Sequence, residues 1–335
     1  QIQPMLFGAA AGLVHAVGDP YTSFMTPNQN EDFHISLQGK LEGIGAQLTM
    51  RENMIVVIAP MKGSPAQDAG LLPEDIIVVV DDEDITGEDL NQVVNRIRGP
   101  RGTKVVLGVI RKGVDEIVSV SITRDEIKIP STEYSVKDTA SGSIGIITIN
   151  QFGDSTTRDT EKALRSILKE DDLIGVILDV RFNGGGYLER AVEMVSLFVQ
   201  QGEVVSVVRM GEEAERHFVN GRPLSTDIPL VILVNEGSAS ASEILAGALQ
   251  DHDRAEIIGK KTFGKGTVQE IFELPGGSSL RITIAKWHTP NGRDLSKEGI
   301  DPDKEVERTM ENINAGEDPQ MEAAVDYFMG KTMEK

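Results

Sequence analysis

A serine nucleophile needs N–H donors around its oxyanion and a base within reach. Two stretches of this 335-residue chain supply the small residues that the first requirement asks for. In Val234-Asn235-Glu236-Gly237-Ser238-Ala239-Ser240-Ala241-Ser242-Glu243, an apolar run passes through small residues into a helical pattern. A hydroxyl at such a junction lies near the positive end of a helix dipole, among N–H groups without helical partners. Ser240 is the candidate nucleophile. The competing reading makes Ser240 an N-cap with Glu243 completing a capping box, and on this segment alone that reading is the better one. The second stretch, Asp179-Val180-Arg181-Phe182-Asn183-Gly184-Gly185-Gly186, also ends an apolar run where a helix begins. Its three glycines let the backbone approach a substrate closely and expose N–H groups. On adjacent strands the two junctions face each other at the carboxyl edge of one sheet, where α/β sites lie.

The base must come from elsewhere. His252 stands twelve residues after Ser240 at the far end of the same helix, too far along it to swing back, and no Gly-x-Ser-x-Gly elbow is present. A lysine serves if desolvation brings its pKa well below the ~10.4 of a free side chain. Lys265, between Gly264 and Gly266 and leading into an apolar hairpin, is placed for that, whereas Lys260 and Lys261 read as solvated loop lysines.

Other constellations fail on their own terms. Gly259 to Thr267 nearly spells a phosphate-binding loop, but Gly266 stands where a metal-binding hydroxyl belongs, and a strand pattern follows instead of a helix. Asp82, Asp84, Thr86 and Gly87 imitate half of an EF-hand loop whose last ligand would be Val93. The histidines (His15, His34, His217, His252, His288) form no i, i+4 pair. No metal and no cofactor are expected. Lys plus Arg number 33 against 53 Asp plus Glu, a net charge of −20, and aromatics are 4%, which argues against nucleic-acid binding. The absence of cysteine removes thiol chemistry and disulfides.

The elements that must hold these residues fall into a β-rich and an α/β part. Met5 to Val17 reads as an amphipathic helix: the missing basic segment and the start at Gln1 disfavour a signal-peptide core, and any targeting segment lies outside this sequence. Pro20 to Leu41 is polar and turn-rich and reads as a connector. Strand patterns follow at Ile55 to Ile58, Ile76 to Val80, Val105 to Ile110 and Ile117 to Ile122, with one helical window from Gly87 to Ile97. After Pro130 strands and helices alternate: Ile144 to Ile149, Ser155 to Lys169 with Ser155 as N-cap, Leu173 to Val180, Tyr187 to Val199, Val204 to Arg209, Pro229 to Val234 and Ala241 to Gln250. Thr267 to Leu274 and Ser279 to His288 form a hairpin around Pro275-Gly276-Gly277, and a charged tail ends in a helical stretch, Met321 to Met329.

Three blocks in order carry a resemblance. Asn235 to Ile244, Ala246 to Asp251 and Thr262 to Gln269 closely resemble the carboxy-terminal processing proteases, also called tail-specific proteases. Leu178 to Leu188 is similar to that family's glycine turn, with Gly184 where a proline is common. Gly18-Asp19-Pro20-Tyr21-Thr22 resembles its amino-terminal signature, and Ser64 to Leu71 with Asp75-Ile76-Ile77 its embedded PDZ domain, Glu74 replacing the usual glycine.

The resemblance implies a crotonase/ClpP-like α/β protease core with an inserted β-rich PDZ domain and helical terminal segments. The divisions are 1–40 for the amino-terminal helix and connector, 41–128 for the PDZ domain, 129–310 for the core and 311–335 for the tail. It implies a serine endopeptidase cleaving proteins at or near their carboxy-terminal tails through an acyl-enzyme. Ser240 is then the nucleophile, Lys265 the general base and Gln269 the residue that orients the lysine; Ala241 with Gly185 or Gly186 forms the oxyanion hole. The loop Gly43-Ile44-Gly45-Ala46 takes the substrate's terminal carboxylate, and Arg98 occupies a position used by some members to couple the PDZ domain to activity. Partners are peptides or proteins with free carboxy-termini, an adaptor or activating protein, and further copies in a homodimer or higher oligomer through the apolar terminal helices, including the stripe Met321, Ala324, Val325 and Phe328; the alternative is that each helix packs back on its own chain. An exported, periplasmic or extracytoplasmic location goes with the resemblance. A different class of reading is a PDZ scaffold on an inert α/β body, against which the intact Ser240, Lys265 and Gln269 set argues.

Overall fold

The computed structural model describes residues 2–37, 40–51, 53–61, 63–114, 116–128, 130–296 and 299–333, and the chain divides into two compact units, 40–129 and 1–39 with 130–335. The larger unit opens with helix α1 (Ile2–His15), which has no buried residue; Ile2, Met5, Leu6 and Leu13 are all exposed. Strand β1 (Ser23–Met25) and helix α2 (Pro27–Leu37) follow. The expected connector is therefore structured. Its three-residue strand is too short to show a period, and its polar helix lacks an apolar stripe.

The smaller unit is built from short strands whose β-branched residues bury one face. Its elements are β2 (Lys40–Gly43), β3 (Ala46–Arg51), β4 (Met54–Pro60), α3 (Pro65–Asp68), β5 (Ile76–Val80), β6 (Glu83–Asp84), α4 (Leu90–Ile97), β7 (Lys104–Ile110), β8 (Val118–Thr123) and β9 (Asp125–Lys128). The main sheet runs β3-β4-β5-β7-β8, so β3 is an edge strand, and α4 packs against β3 and β5. Val57, Ile77, Leu107, Val109 and Ile122 meet Val93 and Ile97 of α4 in its core. The i, i+4 spacing of those two helix residues places them on one face.

In the larger unit the chain continues through β10 (Thr132–Thr139), β11 (Gly142–Ile149), α5 (Thr156–Ile167), β12 (Leu173–Asp179), α6 (Leu188–Ser196), β13 (Glu203–Arg209), β14 (Glu215–Phe218), β15 (Leu230–Val234), α7 (Ala241–Asp251), β16 (Glu256–Gly259), β17 (Thr267–Glu273), β18 (Ser279–His288), β19 (Lys304–Glu305), α8 (Met310–Ala315) and α9 (Pro319–Met333). One sheet has the order β10-β11-β12-β15-β16-β19, antiparallel only between β10 and β11. Its central strands are buried on both faces, which is why they read as unbroken apolar runs. Val176, Leu178, Leu230 and Ile232 face α5, α6 and α7, while Ile177, Val231 and Leu233 face the other way, onto Ala324, Val325 and Phe328 of α9. A Cβ at Gly175 would collide with the Phe328 ring, so that glycine makes room for the tail helix.

That packing corrects one expectation. The apolar stripe of α9 is core of its own chain, with Phe328 1% exposed, and is not on offer to a second copy. Ser155 precedes α5 as expected but gives no side-chain cap; its hydroxyl meets that of Ser131 at 3.1 Å. In the second sheet, β18 carries β17 along one edge; along the other it carries β1 at Ser279–Arg281 and β13 at Ala285–His288. The amino-terminal segment thereby reaches the hairpin that bears Lys265.

Candidate active site

Strands β12 and β15 are parallel neighbours, with Asp179 opposite Leu233, so their carboxyl ends deliver the glycine turn and the serine turn side by side. Hydrogen bonds stitch the turns together: Ala239 N–H to Asn183 O at 3.0 Å, Ser242 Oγ–H to the same oxygen at 2.8 Å, Ser238 Oγ–H to Val180 O at 2.8 Å, and Phe182 N–H to Asn235 Oδ1 at 2.8 Å. Asn183, Asn235, Ser238 and Ser242 were not singled out in the sequence. Their only signal was the concentration of small polar residues in two turns.

Ser240 adopts φ 55° and ψ −116°. An N-cap is normally extended, so this is a strained strand-to-helix corner of the kind that lifts a nucleophile out of its sheet, here without the flanking glycines of an elbow. Ala239 and Ala241 flank it instead, and the missing bulk is opposite. A Cβ on Gly185 (φ 102°) would stand 2.8 Å from Ser240 Cβ and 2.9 Å from Ala241 N. The Gly185 N–H itself is bonded to Asn183 Oδ1 at 2.9 Å, so of the two candidate glycines only Gly186 keeps an N–H that no described group accepts; Ala241 N–H is likewise free among the described residues.

Glu243 is fully buried and binds the Ser240 and Lys265 segments together. Its Oε2 accepts from Ser240 N and Lys265 N at 2.9 Å each, and its Oε1 accepts from Gly264 N at 2.7 Å and Thr262 Oγ1 at 2.6 Å. The sequence offered Glu243 as half of a capping box; the other three donors come from a loop about twenty residues away.

Lys265 is fixed at both backbone ends, its carbonyl accepting from Trp287 Nε1 at 3.0 Å. Its amine has no hydrogen-bond or ion-pair partner among the described residues and lies 5.4 Å from the centroid of the Tyr21 ring. Burial pushes its pKa down, the nearby Arg281 guanidinium adds to that, and Glu243 partly opposes it. The alternatives are engaged elsewhere: Lys260 pairs with Glu305 at 2.8 Å, Lys261 with Asp301, and His252 Nε2 lies 2.7 Å from Glu203 O. Gln269, in β17 just after Lys265, directs Nε2 to Thr267 Oγ1 at 2.8 Å and Thr283 Oγ1 at 3.4 Å and makes no bond to the lysine.

Ser240, Lys265, Gln269, Gly185 and Gly186 all line one cavity of about 770 Å³. Leu188, Val207, Ile244, Val268 and Trp287 supply its apolar wall. Among the described residues no cluster suited to a metal ion occurs.

In the smaller unit, Gly43 to Ala46 joins β2 to the edge strand β3. Ile44 is buried, and Gly45 (φ 71°) has no space for a side chain, since its Cβ would lie 2.5 Å from Ser64 Cβ. The carbonyls of Ile44 and Gly45 accept from Ala66 N and Met61 N, both at 2.8 Å, which fixes the loop. Arg98, exposed at the end of α4, runs its stem past Gly43: its Cγ would be 3.8 Å from a Cβ there.

Residues 143–306 match the family model of peptidase family S41, and residues 56–111 match that of a PDZ domain. A carboxy-terminal-processing protease of Bartonella bacilliformis is 38% identical over 320 residues, covering 94% of this chain and 73% of the relative. The chain belongs to peptidase family S41. A second relative, the carboxyl-terminal-processing protease of Synechocystis sp., is 36% identical over 330 residues, covering 97% of this chain and 77% of its own. Among solved structures, the photosystem II D1 C-terminal processing protease superposes with a TM-score of 0.62 at 29% identity, covering 90% of this chain and 81% of that one. A putative S41 protease from Bacteroides fragilis, 16% identical with a TM-score of 0.62, shares the fold over 94% of this chain and 87% of its own. This S41 peptidase is a serine protease of the carboxy-terminal processing type, with a PDZ domain within the chain.

Proposed function

We propose that Ser240 and Lys265 form a Ser–Lys pair that cleaves proteins near their carboxy-termini through an acyl-enzyme. The observation that carries the reading is the Lys265 amine: half-buried, without a carboxylate partner, and in the same cavity as a serine on a strained corner. In that reading the neutral amine takes the Ser240 hydroxyl proton as Oγ attacks the scissile carbonyl. Ala241 N–H and Gly186 N–H receive the oxyanion. The Lys265 ammonium then protonates the departing amine, and the regenerated base activates the water that hydrolyses the acyl-enzyme. Gln269, its nitrogen held by two threonine hydroxyls, is left with Oε1 to accept from the lysine.

In the same reading, Gly43 to Ala46 binds the substrate's terminal carboxylate while its last residues add to the edge strand β3. Arg98 beside Gly43 is the residue through which an occupied loop acts on activity. An adaptor or activating protein, a homodimer through the uncovered apolar residues of α1, and an extracytoplasmic location complete the proposal; the last rests on the resemblance alone. The deciding experiment is labelling of the full chain with a fluorophosphonate. Label on Ser240 that disappears in Ser240→Ala and Lys265→Ala supports the pair. Undiminished labelling in Lys265→Ala overturns it.

A further inference from the structure

The ring that stands 5.4 Å from the Lys265 amine is that of Tyr21, in the amino-terminal turn 244 residues earlier in the chain. Three contacts pin that turn to β18. Thr22 Oγ1 accepts from Thr283 N at 3.1 Å and donates to the Asp19 carboxylate. Asp19, which also takes the Tyr21 N–H at 3.3 Å and a bond from the Thr283 side chain, is held below the usual carboxylate range by these bonds although burial opposes it. The Tyr21 carbonyl accepts from Arg281 Nε at 3.2 Å. Thr283 also accepts from Gln269, so the turn and the catalytic strand share an anchor.

We propose that Tyr21 is a positioning residue for Lys265: its ring walls the amine off from water, and its carbonyl holds the Arg281 guanidinium beside it. The inference rests on the Ser–Lys reading. A ring face attracts a cation, which by itself favours the charged lysine. Exclusion of water and the neighbouring Arg281 favour the neutral one, and burial is the leading influence on this amine. The ring therefore works on balance to keep the base uncharged. The other charged or titratable groups around the amine are Glu243 of α7 and, across the cavity, Tyr187 just before α6, Glu189 of α6, Arg209 of β13, Glu215 and His217 of β14 and Glu270 of β17. None of them lies on the turn, so a change at Tyr21 leaves them in place.

The test is the pH profile of kcat/KM for peptide hydrolysis by the full chain, with the rate of fluorophosphonate labelling as a second readout. Tyr21→Ala admits water to the amine, so the acid limb moves to higher pH: about tenfold is lost at pH 7 and recovered on the alkaline plateau. Tyr21→Phe keeps the ring and keeps the wild-type profile. Tyr21→Gln, which retains bulk but brings a polar group, moves the limb as Tyr21→Ala does and serves if the alanine variant does not fold. An unmoved limb in the folded alanine or glutamine variant overturns the proposal, whatever the plateau does. A phenylalanine variant that behaves like alanine overturns it too, because the hydroxyl would then be the active part. Lys265→Ala is the separate control: if that variant still hydrolyses peptide, the Ser–Lys reading fails instead.

Discussion

Ser240 and Lys265 donate their backbone N–H groups to one and the same oxygen, Glu243 Oε2, at 2.9 Å each. The distance between the two catalytic candidates is thus set by a buried acceptor as well as by the sheet. Glu243→Gln presents a donor where either this pair or the Thr262 and Gly264 pair already donates. One buried site is left unsatisfied, and the expected loss is about 1–3 kcal/mol of stability. We expect a lower melting temperature together with a fall in kcat at nearly constant KM. A variant with wild-type kcat would show that the bracket does not position the pair.

The empty Cβ position of Gly185 is what lets the serine corner form. Gly185→Ala puts a methyl 2.8 Å from Ser240 Cβ at a φ of 102°, so both sterics and backbone resist it. A strain of about 1–3 kcal/mol follows, and the displaced corner loses oxyanion contacts worth roughly 100-fold or more in kcat. Steady-state kinetics beside thermal unfolding measures both effects. Retained turnover would mean that the corner tolerates the methyl.

Lys265→Ala should abolish hydrolysis, whereas Lys260→Ala and His252→Ala should keep most of it, because those two side chains are engaged with Glu305 and with the Glu203 carbonyl. In the proposed mechanism the base acts as a neutral amine, so kcat/KM should rise with pH as that amine deprotonates. Since burial and Arg281 lower its pKa, the rise is complete below the ~10.4 of an ordinary lysine. A limb at ~6.5 that is lost with a histidine would assign the base to an imidazole.

Asp318 anchors the tail to the glycine turn through Arg181, at 2.8 Å to Nη1, and Arg181 also grips Asp179 at 2.7 Å. Burial disfavours the Asp318 carboxylate, but the Arg181 hydrogen bonds and charge outweigh it and hold its pKa below the usual range. A lowered folded-state pKa means stability that is fully present above the unfolded value of ~3.9 and lost as pH falls through the folded one. Asp318→Asn should remove about 1–2 kcal/mol at pH 7 and less at pH 3. Urea titrations at the two pH values test this, and an equal loss at both would contradict it.

A peptide with a free apolar carboxy-terminus should bind more tightly than its amide by about 1.5–3 kcal/mol, the scale of hydrogen bonds to a charged group. Gly45→Ala should weaken both forms by distorting the loop against Ser64. Calorimetry that finds equal affinity for acid and amide would remove carboxylate capture from Gly43 to Ala46.

Periodicity and local chemistry determined much of this protein from the sequence alone. The apolar runs at β12 and β15 and the alternation of strand and helix after Pro130 announced the sheet. The small residues at the ends of those two strands announced the two turns. Both signals are local, because burial on two faces and close backbone approach each select residue types within a few positions. Tertiary structure decided the rest. Glu243 looked like a cap and became a shared acceptor, because three of its donors lie 19 to 22 residues away. Gly185 and Gly186 are equivalent oxyanion candidates in the sequence, and only the fold gives the Gly185 N–H to Asn183 Oδ1. The stripe on α9 looked like an interface and is the second face of the sheet's core. Tyr21 lies in a segment without periodicity, yet its ring stands 5.4 Å from the amine of Lys265. In each case the deciding partner comes from another element, and a hydrogen bond or ring contact between distant segments leaves no spacing rule in the chain.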